Sequence, residues 1–369
     1  MTVTGSQPKF ELVLHAPNVH TGGGRVLLLA LLDALSTVDD VALTIDSRLK
    51  LELALNETWT VRRVAATLLD RLAAERSLVV LSKSARAVLC FGNLPPALSL
   101  HCPTTVFFQN RNLLDGADLS GFSWKARQRH AAERLWIRLL QSHASRFVVQ
   151  SASMVASFKK TFEPSRPIEI WPLLPPDILA KLQRRQATPA SGTRDFDFVY
   201  VSSGEPHKNH KALIEAWGLL AASGKLPTLA LTLDEVAFAL YKEVIAAQGL
   251  RVVNFPGLDR AGVERLLDRS ACLVYPSLSE SFGLPLLEAA AAGIAILAAD
   301  LPYVDEVVHA SARFDARSAR AIAAAVEDFL ARGPSAAASV KPGLIGPVEF
   351  LQRIIGEQEL KGVDTESSA

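Results

Sequence analysis

Two glutamates eight positions apart, Glu280 and Glu288, lie in the stretch Ser277–Gly293, which reads SLSESFGLPLLEAAAAG. An apolar run, Ala271–Tyr275, predicts a buried strand that passes through Pro276 into a polar turn carrying Glu280. A helix is expected to open near Leu284-Pro285, since proline is tolerated in a first turn where its missing N–H has no partner. Gly293 closes that helix before a second apolar run, Ile294–Ala298. Strand, loop and helix in this order leave the amides around Ser281, Phe282, Gly283 and Leu284 facing the loop. Unpaired N–H groups and the helix dipole together hold anions. An anion there, with a carboxylate on each side, describes a ligand that carries both phosphate and hydroxyl groups, as a nucleotide sugar does. Without a ligand, Glu280 reads as a solvated loop residue and Glu288 as an acid favoured by the macrodipole.

Two further stretches repeat the strand–loop–helix pattern. Phe196–Val201 runs into Ser202-Ser203-Gly204-Glu205-Pro206-His207-Lys208-Asn209, which puts a lysine ahead of a helix. Phe10–Leu14 runs through His15 and His20 into Gly22-Gly23-Gly24 and Arg25, with a helix expected from Val26 to Leu35. Glycine lets a backbone approach a phosphate closely, so Gly23 and Gly24 are candidates for contact with a ligand, and His15, His20 and Arg25 flank them. A tight strand–helix turn and a solvated lysine are the plain readings of the same residues.

The elements that must position these groups alternate along the chain. Val41–Ile45, Thr58–Val64, Ala87–Phe91, Thr104–Phe108 and Ser145–Gln150 read as strands, with helices expected over Ala65–Arg76 and Ser151–Phe162. Leu229–Leu233 and Arg251–Phe255 continue the alternation, followed by a helix over Arg260–Arg269, and Arg313–Phe314 is a short edge strand. Such alternation implies parallel, doubly wound α/β sheets, whose ligands sit at strand ends. The pattern breaks near Trp171–Pro176. Residues 1–175 are expected as one domain, 176–194 as a surface linker, 195–345 as a second domain, and 346–369 as a helix and a frayed tail.

The string Glu280-Ser-Phe-Gly-Leu-Pro-Leu-Leu-Glu288-Ala, on its strand and helix, resembles the E-x7-E signature of retaining glycosyltransferases, specifically family 4, which have the GT-B fold. That resemblance covers most of the C-terminal half and implies two Rossmann-like domains facing across a cleft. It implies a sugar moved from a nucleoside diphosphate donor to a hydroxyl of a glycan or lipid-linked acceptor, with no metal or other cofactor. Glu288 would hold the ribose hydroxyls, Glu280 the donor sugar, and Lys208 the diphosphate. Phe255-Pro256-Gly257-Leu258 resembles the family's turn beside the nucleobase, which makes Leu258 a base contact. The sequence departs from the family twice: Ser203 stands at the position of an Arg that neutralises diphosphate, and Gln109-Asn110 stands near the position of an N-domain His. The resemblance further implies that the C-terminal helix crosses back to the first domain, and that the setting is bacterial cell-surface polysaccharide or lipopolysaccharide assembly. A catalytically silent nucleotide-sugar-binding partner subunit and a nucleotide-sugar 2-epimerase of the same fold are the alternatives.

Composition agrees with a soluble, globular chain. Of 369 residues 49% are hydrophobic, and the formal charge of +1 argues against a general nucleic-acid binder. Three scattered cysteines predict neither a disulfide framework nor a metal site, and a polar start without an apolar core predicts a cytoplasmic protein. The segment Trp124–Leu140 is basic with apolar bulk at Leu135, Trp136, Leu139 and Leu140. A helix of this kind either packs on a core or lies on an anionic membrane, here the inner face of the cytoplasmic membrane.

Overall fold

The computed structural model describes residues 9–51, 54–117, 119–184, 194–333 and 338–356. The expected frayed tail from Lys361 lies outside the described residues. The chain divides into two compact units, one of residues 1–117, 124–176 and 344–369, the other of 118–123 and 177–343.

In the first unit seven strands form one sheet: β1 (Phe10–Ala16), β2 (Val41–Asp46), β3 (Thr60–Val64), β4 (Ala85–Phe91), β5 (Thr104–Phe107), β6 (Arg146–Val149) and β7 (Ile168–Ile170). Their order is β3-β2-β1-β4-β5-β6-β7, and every pairing is parallel. Helices α1 (Gly22–Ala34), α2 (Leu68–Ser82), α3 (Trp124–Leu140) and α4 (Ala152–Phe162) cover the two faces. Because side chains alternate across a strand, the sheet builds two cores. Leu12, Leu14, Leu43 and Leu89 pack on one face with Leu27, Leu28 and Leu31 of α1. Val13, Ala42, Val88 and Cys90 pack on the other with Leu78, Ile137 and Phe158 from α2, α3 and α4.

The second unit repeats the plan with α5 (Pro176–Arg184), β8 (Phe196–Tyr200), α6 (His210–Ala222), β9 (Leu229–Leu231), α7 (Glu235–Ala247), β10 (Val252–Asn254), α8 (Arg260–Asp268) and β11 (Ser270–Tyr275). It continues with α9 (Leu284–Ala292), β12 (Ala295–Ala299), α10 (Pro302–Asp305), β13 (Val308–His309), β14 (Ala312–Phe314), α11 (Ala319–Arg332) and β15 (Ser339–Val340). The main sheet runs β10-β9-β8-β11-β12-β14, all parallel, while β13 and β15 form a small antiparallel pair. The strand order reverses direction between β8 and β11, and in open α/β sheets ligands bind at the carboxyl ends of the strands at such a switch point. The chain then returns to the first unit as α12 (Pro347–Ile355), whose Phe350, Leu351 and Ile355 enter the core beneath α1.

Four expectations are corrected. The span 176–194 is not all linker: α5 occupies Pro176–Arg184 with Ile178 buried, while residues 185–193 lie outside the described ones. Residues 119–123 go with the second unit although their neighbours on both sides belong to the first. Helix α1 starts at Gly22 rather than Val26, so the glycines form its first turn, and only Gly22 takes a positive φ, of 65°. Helix α2 starts at Leu68 because Thr67 caps it, accepting from Asp70 N, and it runs on to Ser82.

Phe350 is fully buried and meets Phe107 and Trp171 edge-on, at centroid distances of 5.1 and 5.2 Å. Phe350→Ala should therefore destabilise the first unit by about 3–5 kcal/mol. Hydrogen exchange resolved by peptide should show β1, β4 and β5 loosening while β8–β12 keep their protection.

Candidate active site

The loops that leave β8 and β11 meet at the switch point of the second unit. The backbone N–H of Leu278 donates to His207 O at 2.8 Å, and Ser277 Oγ reaches the same carbonyl at 3.4 Å. Asn209, at φ 63°, caps α6 and ties the loops further: its Nδ2 donates to Pro276 O at 3.2 Å and Ala316 O at 2.7 Å. A positive φ disfavours most side chains, and Asn is among the few that adopt it readily.

Stitched in this way, the loops bring Lys208 and Glu280 together. Lys208 Nζ donates to Glu280 Oε1 at 2.7 Å and Oε2 at 3.0 Å, and the Tyr275 hydroxyl donates to Oε1 at 2.7 Å. Glu280 is therefore not the exposed loop carboxylate that its setting suggests. Only 10% of its side chain and 15% of that of Lys208 are accessible. Burial alone would raise the Glu280 carboxyl, but the charge and hydrogen bond of Lys208, with bonds from Ser277 and Tyr275, hold it below the usual range. Beneath the pair, Tyr200 donates to Lys208 O at 2.8 Å and Tyr303 to Ser277 O at 2.7 Å, so three buried tyrosines hold the loops from below.

Next to Glu280, α9 begins at Leu284 with no side-chain cap and no acidic residue in its first turn. Gly283 precedes it at φ 83°, where a Cβ would lie 3.0 Å from Leu286 Cδ1, so both conformation and space call for glycine. Phe282 is buried beside it. A helix start of this kind, next to a lysine, suits a phosphate.

Glu288 occupies a separate cleft of the second unit, lined by Asp177, Ile178 and Lys181 of α5 and by Arg260 and Glu264 of α8. Asp177 holds Arg260 through a forked ion pair, at 2.9 and 2.5 Å. Burial pushes the Glu288 carboxyl up to about 7; the charge of Arg260 acts the other way, and Asp177 adds to the rise. Leu258 sits just before α8 and packs toward Gly262. Ser203 donates its hydroxyl to Glu205, and Gly204 lies against α7, where a Cβ would come 2.5 Å from Ala237 Cβ.

Gly23 and Gly24 belong to the first unit, on the loop side of its own switch point. Gly24 lies near Val19 and Gln109. Gln109 and Asn110 donate their backbone N–H groups to Asn93 Oδ1, at 2.7 and 2.8 Å. His15 is buried and pairs with Glu75 at 3.3 Å. Tyr275, Asn209 and Asn93 escaped the sequence reading. The last two sit at the positive-φ positions that Asn-rich turns often mark, but Tyr275 ends a strand and gives no such signal.

Residues 183–342, nearly the whole second unit, match the family model described as glycosyl transferases group 1. The serotype-specific mannosyltransferase WbdA of Escherichia coli is 28% identical over 53% of this chain, which spans only 26% of that longer protein. Among solved structures, Anabaena HepE in complex with UDP-glucose aligns with a TM-score of 0.60 at 15% identity, covering 86% of this chain and 89% of that one. Sucrose-phosphate synthase from Thermosynechococcus elongatus aligns with a TM-score of 0.62 at 15% identity, over 95% and 92%. WaaG, a glycosyltransferase involved in lipopolysaccharide biosynthesis, aligns with a TM-score of 0.54 at 15% identity, over 95% and 91%. At these identities the likeness speaks for the fold alone, and the fold is GT-B: two parallel-sheet, Rossmann-like α/β domains.

The raised carboxyl of Glu288 has a thermodynamic consequence. Its ordinary value is 4.5 and its folded value about 7, so between these the folded state keeps a proton that the unfolded chain releases. Stability must therefore fall as pH rises through that window. Glu288→Gln should remove this loss, on the order of 1–2 kcal/mol once partial exposure is allowed for. Urea unfolding of the second unit at pH 5 and pH 8, for wild type and variant, measures it. Equal pH slopes would show that Glu288 is not held neutral.

Proposed function

We propose that the chain is a retaining glycosyltransferase that moves a sugar from a nucleoside diphosphate donor to a hydroxyl of a glycan or lipid-linked acceptor, in the assembly of cell-surface polysaccharide or lipopolysaccharide. The observation that carries this reading is the Lys208–Glu280 pair at the switch point of a group 1 domain, beside the uncapped start of α9. The diphosphate lies between Lys208 and the amides of Phe282, Gly283 and Leu284, with Ser281 alongside. Its negative charge gives Lys208 a second anionic partner, which frees Glu280 to turn to the donor sugar. An ionised Glu280 then stabilises the positive charge that grows at the anomeric carbon, while Lys208 and the helix start stabilise the leaving diphosphate. With that charge met by the protein, the reaction takes no metal ion and no cofactor. Glu288 takes the ribose hydroxyls, and Leu258 flanks the base. A nucleotide-sugar donor is supported by HepE, solved with UDP-glucose, and by the mannosyltransferase WbdA.

Helix α3 supports a lipid-linked acceptor. It buries Ile137 and His130, while Trp124, Leu135 and Leu139 are exposed along one stripe. Trp136 is not part of that stripe, because its Nε1 donates to Pro95 O at 2.8 Å. Lys125 and Arg129 border the stripe on one side, Arg127, Arg134 and Arg138 on the other. An exposed apolar stripe between cations suits an anionic membrane surface, here the inner face of the cytoplasmic membrane. No helix among the described residues is long and apolar enough to cross a membrane.

A silent nucleotide-sugar-binding partner is the second reading, favoured by Ser203 standing where the resemblance leads one to expect an Arg. A thermal-shift panel of nucleoside diphosphates and nucleotide sugars, followed by turnover assays, separates the two. One nucleoside diphosphate should stabilise wild type, by mass action on the native state, and Glu288→Ala should abolish most of that shift. Glu280→Gln should keep the shift and lower turnover by about 10²-fold or more. Binding without any turnover in wild type would favour the silent partner. If no nucleotide shifted the melting point at millimolar concentration, the donor reading would fail.

A further inference from the structure

The first unit carries a second constellation of charge at the carboxyl end of β2. Asp46, the last residue of that strand, is fully buried. Its carboxyl is held down at about 2, chiefly by the side-chain hydrogen bond from Arg48. Arg48 grips both oxygens, Nε to Oδ1 at 2.9 Å and Nη2 to Oδ2 at 2.7 Å. The same Oδ2 also draws Arg71 Nη2 and His20 Nδ1, each to 3.7 Å. One buried carboxylate therefore gathers two guanidiniums and an imidazole from three elements: the loop after β2, helix α2, and the loop before α1. A further guanidinium, that of Arg63, donates to Leu49 O at 3.3 Å, and Arg25 reaches Lys50 O at 3.5 Å, both on the same loop. The negative charges acting on Arg71 are Asp46 and Glu133 of α3, and Glu133 also faces Arg129 at 3.8 Å.

Arg71 is the informative member. Its side chain is only 32% exposed, yet among the described residues its guanidinium donates no hydrogen bond. A half-buried cation that keeps its donors unspent, held against a second cation, costs free energy that folding does not recover locally. With Arg63 and Arg129 counted alongside Arg48 and Arg71, cations outnumber Asp46 and Glu133, and planar N–H forks match the tetrahedral oxygens of phosphate. We propose that Arg48, Arg71 and His20, aimed by Asp46, form an oxyanion site that binds a phosphoryl group of the acceptor. The binding of phosphate stands on this cluster alone; the assignment of that phosphate to an acceptor rests on the glycosyltransferase reading.

Hydrogen exchange on the full chain tests the site locally. Inorganic phosphate should slow exchange in peptides covering 41–51 and 68–76, with peptides over 277–288 reporting the donor site in the same experiment. Arg71→Gln breaks no hydrogen bond seen in the structure, so it should fold normally and require about tenfold more phosphate for the same protection. Arg71→Lys, which keeps the charge but not the fork, should fall between. Glucose 1-phosphate and vesicles containing phosphatidic acid serve as separate arms: protection by the first assigns the phosphate to a soluble sugar, and protection by the second alone assigns it to a lipid headgroup. Absence of protection at 41–51 in wild type, or equal protection in Arg71→Gln, would overturn the site. Loss of nucleotide protection at 277–288 in wild type, with phosphate protection at 41–51 intact, would overturn the donor reading and leave this site standing.

Discussion

The ion pair between Lys208 and Glu280 is the constraint on which the second unit is built. A carboxylate with so little exposure stays ionised only beside a cation, and the cation comes from a loop 72 residues away. Only the parallel order of β8 and β11 makes those loops neighbours. The surrounding bonds then serve to hold the pair: Tyr275 on the carboxylate, Tyr200 on the carbonyl of Lys208, and Asn209 across to the loops after β11 and β14. Removing any one would loosen the loop that it holds.

The two glutamates of one motif illustrate how environment divides labour between like groups. Eight positions apart in sequence, they sit in different surroundings, one drawn below its ordinary value by a lysine, the other raised by burial, with Arg260, whose charge acts on it, already committed to Asp177. A charged carboxylate suits the stabilisation of a cationic sugar. One that titrates near neutrality can accept hydroxyl hydrogen bonds when it ionises and costs little to bury when it does not. Environments that push paired carboxyl groups apart commonly mark separate roles.

The first unit uses the same sheet for different work. At its switch point Asn18 donates to Gly92 O, Asn93 accepts from two amides and His15 pairs with Glu75, while a larger cluster of charge lies one strand outward, at Asp46 and the arginines around it. Same topology, different chemistry: the fold supplies the strand ends, and the residues placed there decide what binds.

The sequence by itself determined the class of the fold and placed Glu280 and Glu288 on one strand–loop–helix. Apolar runs of strand length alternating with longer helical segments leave little choice but parallel α/β, and Glu280, Gly283, Pro285 and Glu288 carry their meaning in local order. Element ends were less legible where capping decided them, as Thr67 does for α2, or where glycines joined a helix instead of preceding it, as in α1. The helix α5 was hidden because a short polar segment looks like a linker until Ile178 and the Asp177–Arg260 pair dock it. Tertiary structure alone decided the pairing of Lys208 with Glu280, the support from Tyr275, the separate cleft of Glu288, and the gathering of arginines on Asp46. Each joins residues from different crossovers. Periodicity and propensity act over a few neighbouring residues, whereas burial and charge pairing depend on which strands lie side by side.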